Sequence, residues 1–143
     1  MKWTKDNFVL YDENDKVHVE TVHAMLTETY WARGRSLETV QDTVDRCLCF
    51  SLYDDSSQIG FTRVLTDYAT YAVILDVVIQ EPFRGQGLGK WMMACITNHP
   101  DIVRLKQVLW TSSADGLYRK YGFEVPENTS FMVKVAKPSG DGT

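Results

Sequence analysis

The segment 84–89 (RGQGLG) has the residue types that bind a phosphate group through the backbone. It follows an apolar run typical of a buried strand and opens an amphipathic helical pattern. Glycine lets the backbone approach an anion closely, and successive N–H groups can turn toward it. The first turn of the helix adds unpaired N–H groups and the positive end of the helix dipole. The segment therefore predicts a cradle for a phosphate or pyrophosphate.

Two familiar phosphate loops fit this segment poorly. A Walker A loop needs Gly-x-x-x-x-Gly-Lys-Ser/Thr, but Gly89-Lys90 is followed by Trp91, and Arg84 stands where the first glycine is needed. A dinucleotide fingerprint needs Gly-x-Gly-x-x-Gly, whereas the glycines here are spaced Gly-x-Gly-x-Gly. The alternative without any ligand is a tight strand-to-helix turn.

Two motifs give the chain a family resemblance. The segment 84–89 matches the Arg/Gln-x-x-Gly-x-Gly/Ala signature of the GNAT superfamily, the general-control-type N-acetyltransferases. Residues 117–123 (LYRKYGF) are similar to that family's second marker, a short helix that carries a tyrosine and ends in Gly-Phe. The order of elements also agrees, so the resemblance covers about residues 8–135. One departure is Glu81-Pro82, where proline more often sits one position earlier, which affects the entry to the loop.

The resemblance implies a fold, a reaction and a cofactor site. The fold is α/β (α+β), with a mixed, mostly antiparallel sheet, a splayed parallel strand pair and flanking helices. The reaction moves an acetyl group from acetyl-CoA, a co-substrate, directly to an amine while both are bound. The central strand would pair its backbone with the pantetheine arm, and an N–H near Val78 would polarise the thioester carbonyl. The implied cofactor contacts are Val77, Val78, Ile79, Arg84, Gly85, Gln86, Gly87, Leu88, Gly89 and Lys90.

Tyr118 matches the position of the family's general acid. The leaving thiol has a pKa of roughly 8.5, and a tyrosine near 10 can donate a hydrogen bond or proton to the thiolate. The alternative is a structural tyrosine on an amphipathic helix, packed beside Leu117 and Tyr121.

Asp76 is the one carboxylate in the apolar run 72–79. A buried and unpaired carboxylate is costly, so a partner or a catalytic task is expected. It is a candidate base for the attacking amine, and the alternative is a salt bridge to Arg63. A water chain replaces a side-chain base in many relatives.

The connection between the first two helical patterns combines two aromatic residues with two guanidinium groups. Aromatic rings can wall a pocket, and arginine can hold a carboxylate with two parallel hydrogen bonds. In the implied fold, this connection faces the acetyl group. We therefore expect a small acceptor with an amine and an anionic or aromatic part, and the alternative is a plain helix–helix turn. The candidate acceptor-binding residues are Tyr30, Trp31, Arg33 and Arg35.

Hydrophobic periodicity gives the element order β-α-α-β-β-β-α-β-α-β. A helix at the glycine turn separates the central strand from the next one, so this strand pair is predicted to be parallel. Gly122 is predicted to end the short fourth helix in a left-handed conformation, with Phe123 packing back on it. The predicted strands are 8–11, 48–53, 58–65, 71–79, 108–111 and 131–135. The predicted helices are 17–30, 37–47 after the N-cap Ser36, one from the glycine turn to Pro100, and 113–121.

Composition narrows the class of protein. The chain has 143 residues, a net charge of −4 and 44% hydrophobic residues, which predicts one globular domain over 1–137 and a flexible tail over 138–143. Its acidity argues against nucleic-acid partners, and no apolar run is long enough for a membrane span. His18, His23 and His99 lack metal-ligand spacing and are expected at surface or cap positions, so no metal is expected.

These observations predict a cytoplasmic monomer or homodimer whose partners are acetyl-CoA and a small amine. The alternatives are acetylation of a protein lysine or N-terminus, and a catalytically silent acyl-CoA-binding module on the same fold.

Overall fold

The computed structural model describes residues 1–112 and 114–138, and within them six strands form one sheet. The strands follow one another across the sheet in sequence order, and neighbours are antiparallel except the last two, which run parallel. The predicted mixed, mostly antiparallel sheet with one parallel pair is therefore confirmed. The strands are β1 (Lys2–Lys5), β2 (Phe8–Tyr11), β3 (Leu48–Asp54), β4 (Ser57–Thr66), β5 (Tyr71–Ile79) and β6 (Lys106–Val108).

Four α-helices flank the sheet in the same part of the chain, and local side chains explain where the first two begin. Ser36 accepts the Thr39 N–H at 3.1 Å at the start of the second helix, as predicted. His18 accepts the Thr21 N–H at 3.3 Å at the start of the first, which confirms its expected cap position. The helices are α1 (Val19–Thr27), α2 (Leu37–Arg46), α3 (Leu88–Thr97) and α4 (Asp115–Arg119).

The sheet is covered on both faces, which explains the uniformly apolar central strands. Helix α3 packs on one face, where the buried residues include Phe50, Leu52, Ile74, Met92 and Ile96. Helices α1 and α2 pack on the other, with Val22, Leu26, Val40, Val44 and Phe61.

The two ends of the chain differ from the prediction. Strand β1 was missed because its sequence, KWTK, is short and mostly polar, and it becomes a strand by pairing with β2. The predicted last strand over 131–135 is wrong: these described residues form no strand, and Phe131, Met132 and Val133 are exposed. Apolar β-formers alone do not make a strand without a paired neighbour. The edge strand against which residues 131–135 could pair, β6, is only three residues long. It spans Lys106–Val108, not the predicted 108–111.

His99 was expected at the surface or a cap and is instead buried. Its Nε2 lies 2.7 Å from Asp12 Oδ2, and its Nδ1 accepts the Asp101 N–H at 3.0 Å. The rings of Trp3 and Phe50 pack against it at centroid distances of 5.8 and 5.5 Å. Because the unpredicted strand β1 carries Trp3, the environment of His99 was not visible in the sequence.

Residues 139–143 of the predicted tail, and Ser113 of the predicted fourth helix, lie outside the described residues. Within 1–112 and 114–138, no helix has the length and apolar character needed to span a membrane. In the same residues, no three His, Cys, Asp or Glu side chains are grouped in a way that could hold a metal ion.

Candidate active site

A gap opens between the two parallel strands β5 and β6. The strands pair only at their starts, through Tyr71 with Lys106, Ala72 with Gln107, and Val73 with Val108. From residue 74 to 79, β5 keeps β4 on one edge, and no strand of the described residues lies on the other. The gap edge of β5 can therefore accept an added extended chain, as the implied pantetheine site requires.

The register of β5 against β4 decides which backbone groups face this gap. The Gln80 N–H donates to the Ile59 carbonyl at 2.8 Å, and Val78 pairs with Phe61. Because N–H groups alternate between the two edges of a strand, the Val78 N–H points to β4. The N–H groups of Val77 and Ile79 are the ones on the gap edge. The N–H that was expected near Val78 to polarise the thioester is therefore narrowed to that of Val77 or Ile79.

A β-bulge in β5 sits beside the gap at Asp76. Pairing with β4 shifts from Phe61 with Val78 to Arg63 with Leu75, so β5 holds one extra residue there. Asp76 has a φ of +55°, a left-handed conformation that aspartate tolerates better than most residues. The bulge directs the Asp76 side chain to the face covered by α1 and α2, where its partners lie.

The glycine turn leaves its backbone exposed at the end of β5. Gly85 and Gly87 have φ values of +82° and +83°, and Gly87 is the N-cap of α3. The first helical hydrogen bond runs from the Trp91 N–H to the Gly87 carbonyl at 3.1 Å, so the preceding N–H groups have no helical acceptor. Arg84 Nε donates to the Ile79 carbonyl at 2.7 Å and so fixes the turn to the gap edge of β5. The turn therefore presents exposed backbone where the anion cradle was predicted, and the binding of an anion there stays a prediction.

Tyr118 lies on α4, half-buried against the core that α3 covers. Its ring meets the edge of Phe123 at a centroid distance of 6.1 Å, and Gly122 ends the helix at a φ of +91°, which confirms the predicted cap. Within residues 1–112 and 114–138, the Tyr118 hydroxyl makes no hydrogen bond. Burial raises the pKa of Tyr118, so the hydroxyl keeps its proton at neutral pH and can donate it to a ligand.

Tyr121, the second tyrosine of this motif, has a structural contact. Its hydroxyl donates to the Lys90 carbonyl at 2.8 Å and so joins the end of α4 to the first turn of α3. Tyr118 is thereby held on an element that is fixed to the glycine-turn helix.

Asp76 is an ion-paired carboxylate, which is the alternative that the sequence left open. Its Oδ2 accepts Arg63 Nε at 2.7 Å and Arg35 Nη1 at 2.8 Å, and its Oδ1 accepts Trp31 Nε1 at 3.1 Å. Burial alone would raise the pKa of Asp76, but the hydrogen bonds and charges of Arg63 and then Arg35 outweigh it and hold that pKa below its ordinary value. A carboxylate so bound is a weak base.

The four candidate acceptor residues lie on the connection between α1 and α2. Tyr30 is 74% exposed, meets Trp31 edge-on at 5.2 Å, and places its hydroxyl 3.5 Å from Ser112 Oγ, beyond β6. Arg35 points inward to Asp76, and its own carbonyl lies 2.9 Å from His23 Nε2. Arg33 is exposed and makes no ion pair with Asp76, unlike Arg35. Sequence reasoning found Arg35 and Asp76 separately but missed that they pair, because a contact across 41 residues leaves no local signal.

A cavity of about 1310 Å³ lies on the β6 side of the gap. Tyr30, Trp110, Tyr118 and Phe131 are among its lining residues, so it brings one residue of the acceptor connection, Tyr30, and the candidate acid to one space. None of residues 84–90 lines it. The glycine turn is thus a separate, open surface.

Comparison with known proteins defines the class to which this fold and site belong. Residues 45–125 match the family described as Acetyltransferase (GNAT) domain. A solved structure from Xanthomonas campestris pv. campestris, described as belonging to the GNAT family, is 34% identical and has a TM-score of 0.86, covering 93% of this chain and 96% of that one. The chain therefore belongs to the GNAT acetyltransferase family, as the motifs implied.

Other relatives agree with this assignment. A GNAT-family acetyltransferase from Elizabethkingia anophelis, solved with acetyl-CoA bound, has a TM-score of 0.65 at 18% identity, covering 86% of this chain and 80% of that one. An uncharacterized N-acetyltransferase of Gracilaria tenuistipitata var. liui is 35% identical over 88 residues, which are 58% of this chain and 48% of that protein. The chain spans 63% and 48% of the length of the first two curated relatives it matches.

Proposed function

We propose that the protein transfers the acetyl group of acetyl-CoA to the amine of a small acceptor, with both substrates bound together. The observation that carries this proposal is the unpaired gap edge of β5, which begins beyond Val73 and ends at an exposed turn of backbone N–H groups. It offers an extended ligand a strand edge and offers its anionic end a cradle. The acetyl-CoA-bound relative supports the choice of this cofactor.

The cofactor contacts proposed are mostly backbone contacts. The N–H groups around Gly87 and the first turn of α3 bind the pyrophosphate, because oriented amides and the helix dipole stabilise negative charge there. The pantetheine arm lies along the gap edge of β5, beside Val77 and Ile79. One of those two N–H groups donates to the thioester oxygen and stabilises the negative charge that develops on it.

The chemical step uses one side-chain acid. The neutral amine nitrogen attacks the carbonyl carbon, forming a C–N bond as the C–S bond breaks. The Tyr118 hydroxyl donates its proton to the departing thiolate. The nitrogen, which carries an extra proton once the C–N bond has formed, releases it to water, and the Tyr118 phenolate takes a proton back from solvent. We assign the proton of the nitrogen to water because both Asp76 oxygens accept hydrogen bonds and the Asp76 pKa is held low.

A panel of small amines tests the proposal. The purified protein is incubated with acetyl-CoA and each amine, free thiol is measured over time, and the acetylated product is identified by mass. We expect thiol release that depends on the amine and matches the amount of product. Binding of acetyl-CoA without release for any amine would instead indicate a silent acyl-CoA-binding module.

A further inference from the structure

Four side chains form a charged cluster at the β5 bulge, which we call the Asp76 cluster: Trp31, Arg35, Arg63 and Asp76. Two of them, Trp31 and Arg35, come from the α1–α2 connection, and the other two come from β4 and β5. All three partners donate to the one carboxylate. The cluster therefore fixes the acceptor connection to the strand that borders the gap.

The charges of this cluster do not balance. Two guanidinium groups face one carboxylate, and within the described residues no other carboxylate forms an ion pair with Arg35 or Arg63. These side chains are only 20% and 13% exposed, so one excess positive charge is largely withdrawn from water. A partly buried charge is costly unless a counter-charge pairs with it.

Donor groups remain to bind such a counter-charge. A guanidinium has five N–H donors. Arg63 directs Nε to Asp76 and Nη1 to Cys47 Sγ at 3.7 Å, while Arg35 directs only Nη1 to Asp76. Arg35 is also the more exposed of the two, and its other side-chain N–H groups have no acceptor within residues 1–112 and 114–138, so they are the ones a ligand can reach.

The position of the Asp76 cluster indicates that the acceptor supplies the negative counter-charge. Asp76 is next to Val77, whose N–H faces the gap. The rings of Tyr30 and Trp31 pack edge to face, and the Tyr30 hydroxyl lies beside Ser112 Oγ on the far side of the gap. The free donors of Arg35 are therefore near the aromatic residues expected to wall the acceptor site.

We propose that Arg35, supported by Arg63, binds an anionic group of the acceptor, and that Asp76 is a positioning residue that holds both guanidinium groups and Trp31. The acceptor is then a small amine that also carries a carboxylate or a phosphate, since both match the paired donors of arginine. This inference rests on the proposed acetyl transfer and names the substrate class for it.

Matched pairs of amines test the inference. One pair is an amino acid and its carboxamide, and the other is an amino sugar phosphate and the unphosphorylated amino sugar. Each is assayed by acetyl-CoA-dependent thiol release with the unmodified protein, Arg35→Gln, Arg35→Lys and Arg46→Gln. Arg46 is an exposed arginine in the last turn of α2, whereas Arg35 lies just before its first turn, roughly 15 Å away by helix rise. Arg46→Gln therefore serves as the control.

We expect the unmodified protein to favour the anionic member of at least one pair by about tenfold or more in kcat/KM, the scale of a charge-assisted hydrogen bond. The pair that shows the preference tells carboxylate from phosphate. Arg35→Gln should remove the preference mainly through KM for the acceptor, so that the anionic member of the pair loses at least about tenfold more in kcat/KM than its neutral match. Arg35→Lys should keep part of the preference for the anionic amine, and Arg46→Gln should leave that preference unchanged.

Equal rates on both members of each pair would overturn the inference, as would an equal loss in Arg35→Gln for anionic and neutral amines. The affinity for acetyl-CoA, measured by calorimetry on every variant, shows whether the fold persists. If none of the amines causes the unmodified protein to release thiol, the proposed function fails and this inference fails with it. Transfer to neutral amines without the preference contradicts only the inference.

Discussion

The glycine turn, proposed to bind the cofactor, and the Asp76 cluster, proposed to bind the acceptor, use different parts of the chain; we call them the cofactor side and the acceptor side. On the cofactor side, residues 84–90 present mostly exposed backbone, and two of the glycines adopt positive φ values. On the acceptor side, the Asp76 cluster consists of side chains that are fixed by charged hydrogen bonds of 2.7 and 2.8 Å. One surface is therefore made of groups that every residue has, and the other of groups that only a few residues have.

This difference explains what each side can recognise. A backbone cradle depends on conformation, so it persists wherever glycines allow the turn, and it suits a cofactor that all members of a family share. A side-chain cluster depends on the identity of each residue, so single substitutions can change which acceptor binds. We therefore expect changes on the two sides to affect different kinetic constants.

The largest effect should come from Tyr118, the residue proposed to act as general acid at the reacting atoms. Tyr118→Phe removes only the hydroxyl and keeps the ring contact with Phe123, so the fold and the acetyl-CoA affinity should persist. Turnover should fall by ~10²–10⁴, the loss typical of a missing general acid. Steady-state thiol release measures it, and full activity in this variant would remove the proposed role.

The next effect should come from Gly87 on the cofactor side. Gly87→Val places a β-branched residue at a φ of +83°, which strains the cradle even though the space around a Cβ is open. The Kd for acetyl-CoA should rise at least tenfold, about 1.4 kcal/mol. Gly87→Asn is the matched variant, because asparagine tolerates the left-handed region, and it should bind more tightly than Gly87→Val. Unchanged affinity in both would place the cofactor elsewhere.

Asp76→Asn should separate positioning from base catalysis. Asparagine also tolerates a positive φ and can still accept from Trp31, so the bulge should persist. As a positioning residue, Asp76 mainly affects the acceptor KM, and kcat on neutral amines should stay within about tenfold. If Asp76 were the general base, Asp76→Asn would instead lower kcat by ~10²–10⁴ on every acceptor. That result would assign Asp76 a part in the catalytic step.

The smallest effect should be a pH dependence of stability from the same carboxylate. The pKa of Asp76 is below its ordinary value in the folded state, so its ion pairs stabilise the fold above about pH 4, the unfolded pKa, and this contribution is lost as pH falls through the lower folded pKa. The difference in unfolding free energy between the unmodified protein and Asp76→Asn should be constant from pH 7 to 5 and shrink below pH 4. Urea unfolding measures it, and a difference that does not change with pH would contradict the ion-pair account.

Features decided by neighbouring residues could be predicted from the sequence. The Ser36 cap, the Gly122 helix end and the glycine turn all depend on contacts a few residues apart, and the structure contains each of them. The order of the elements from β2 to α4 and the parallel pair followed from the same local patterns.

Features decided by distant pairing could not be predicted. The strand β1 exists because β2 is beside it, and residues 131–135 lack a strand despite their composition. The bulge that turns Asp76 toward Arg35 depends on the register of β4 against β5, which no local pattern encodes. The candidate site was therefore predicted residue by residue, but the contacts within it were not.

Calorimetric titration of acetyl-CoA tests the division between the two sides most directly. It is carried out with the unmodified protein, Gly87→Val and Arg35→Gln. We expect the unmodified protein and Arg35→Gln to bind with the same Kd, and Gly87→Val to bind at least about tenfold more weakly. Absence of binding to the unmodified protein, or an equal loss in both variants, would contradict the assignment of the glycine turn to the cofactor and the Asp76 cluster to the acceptor.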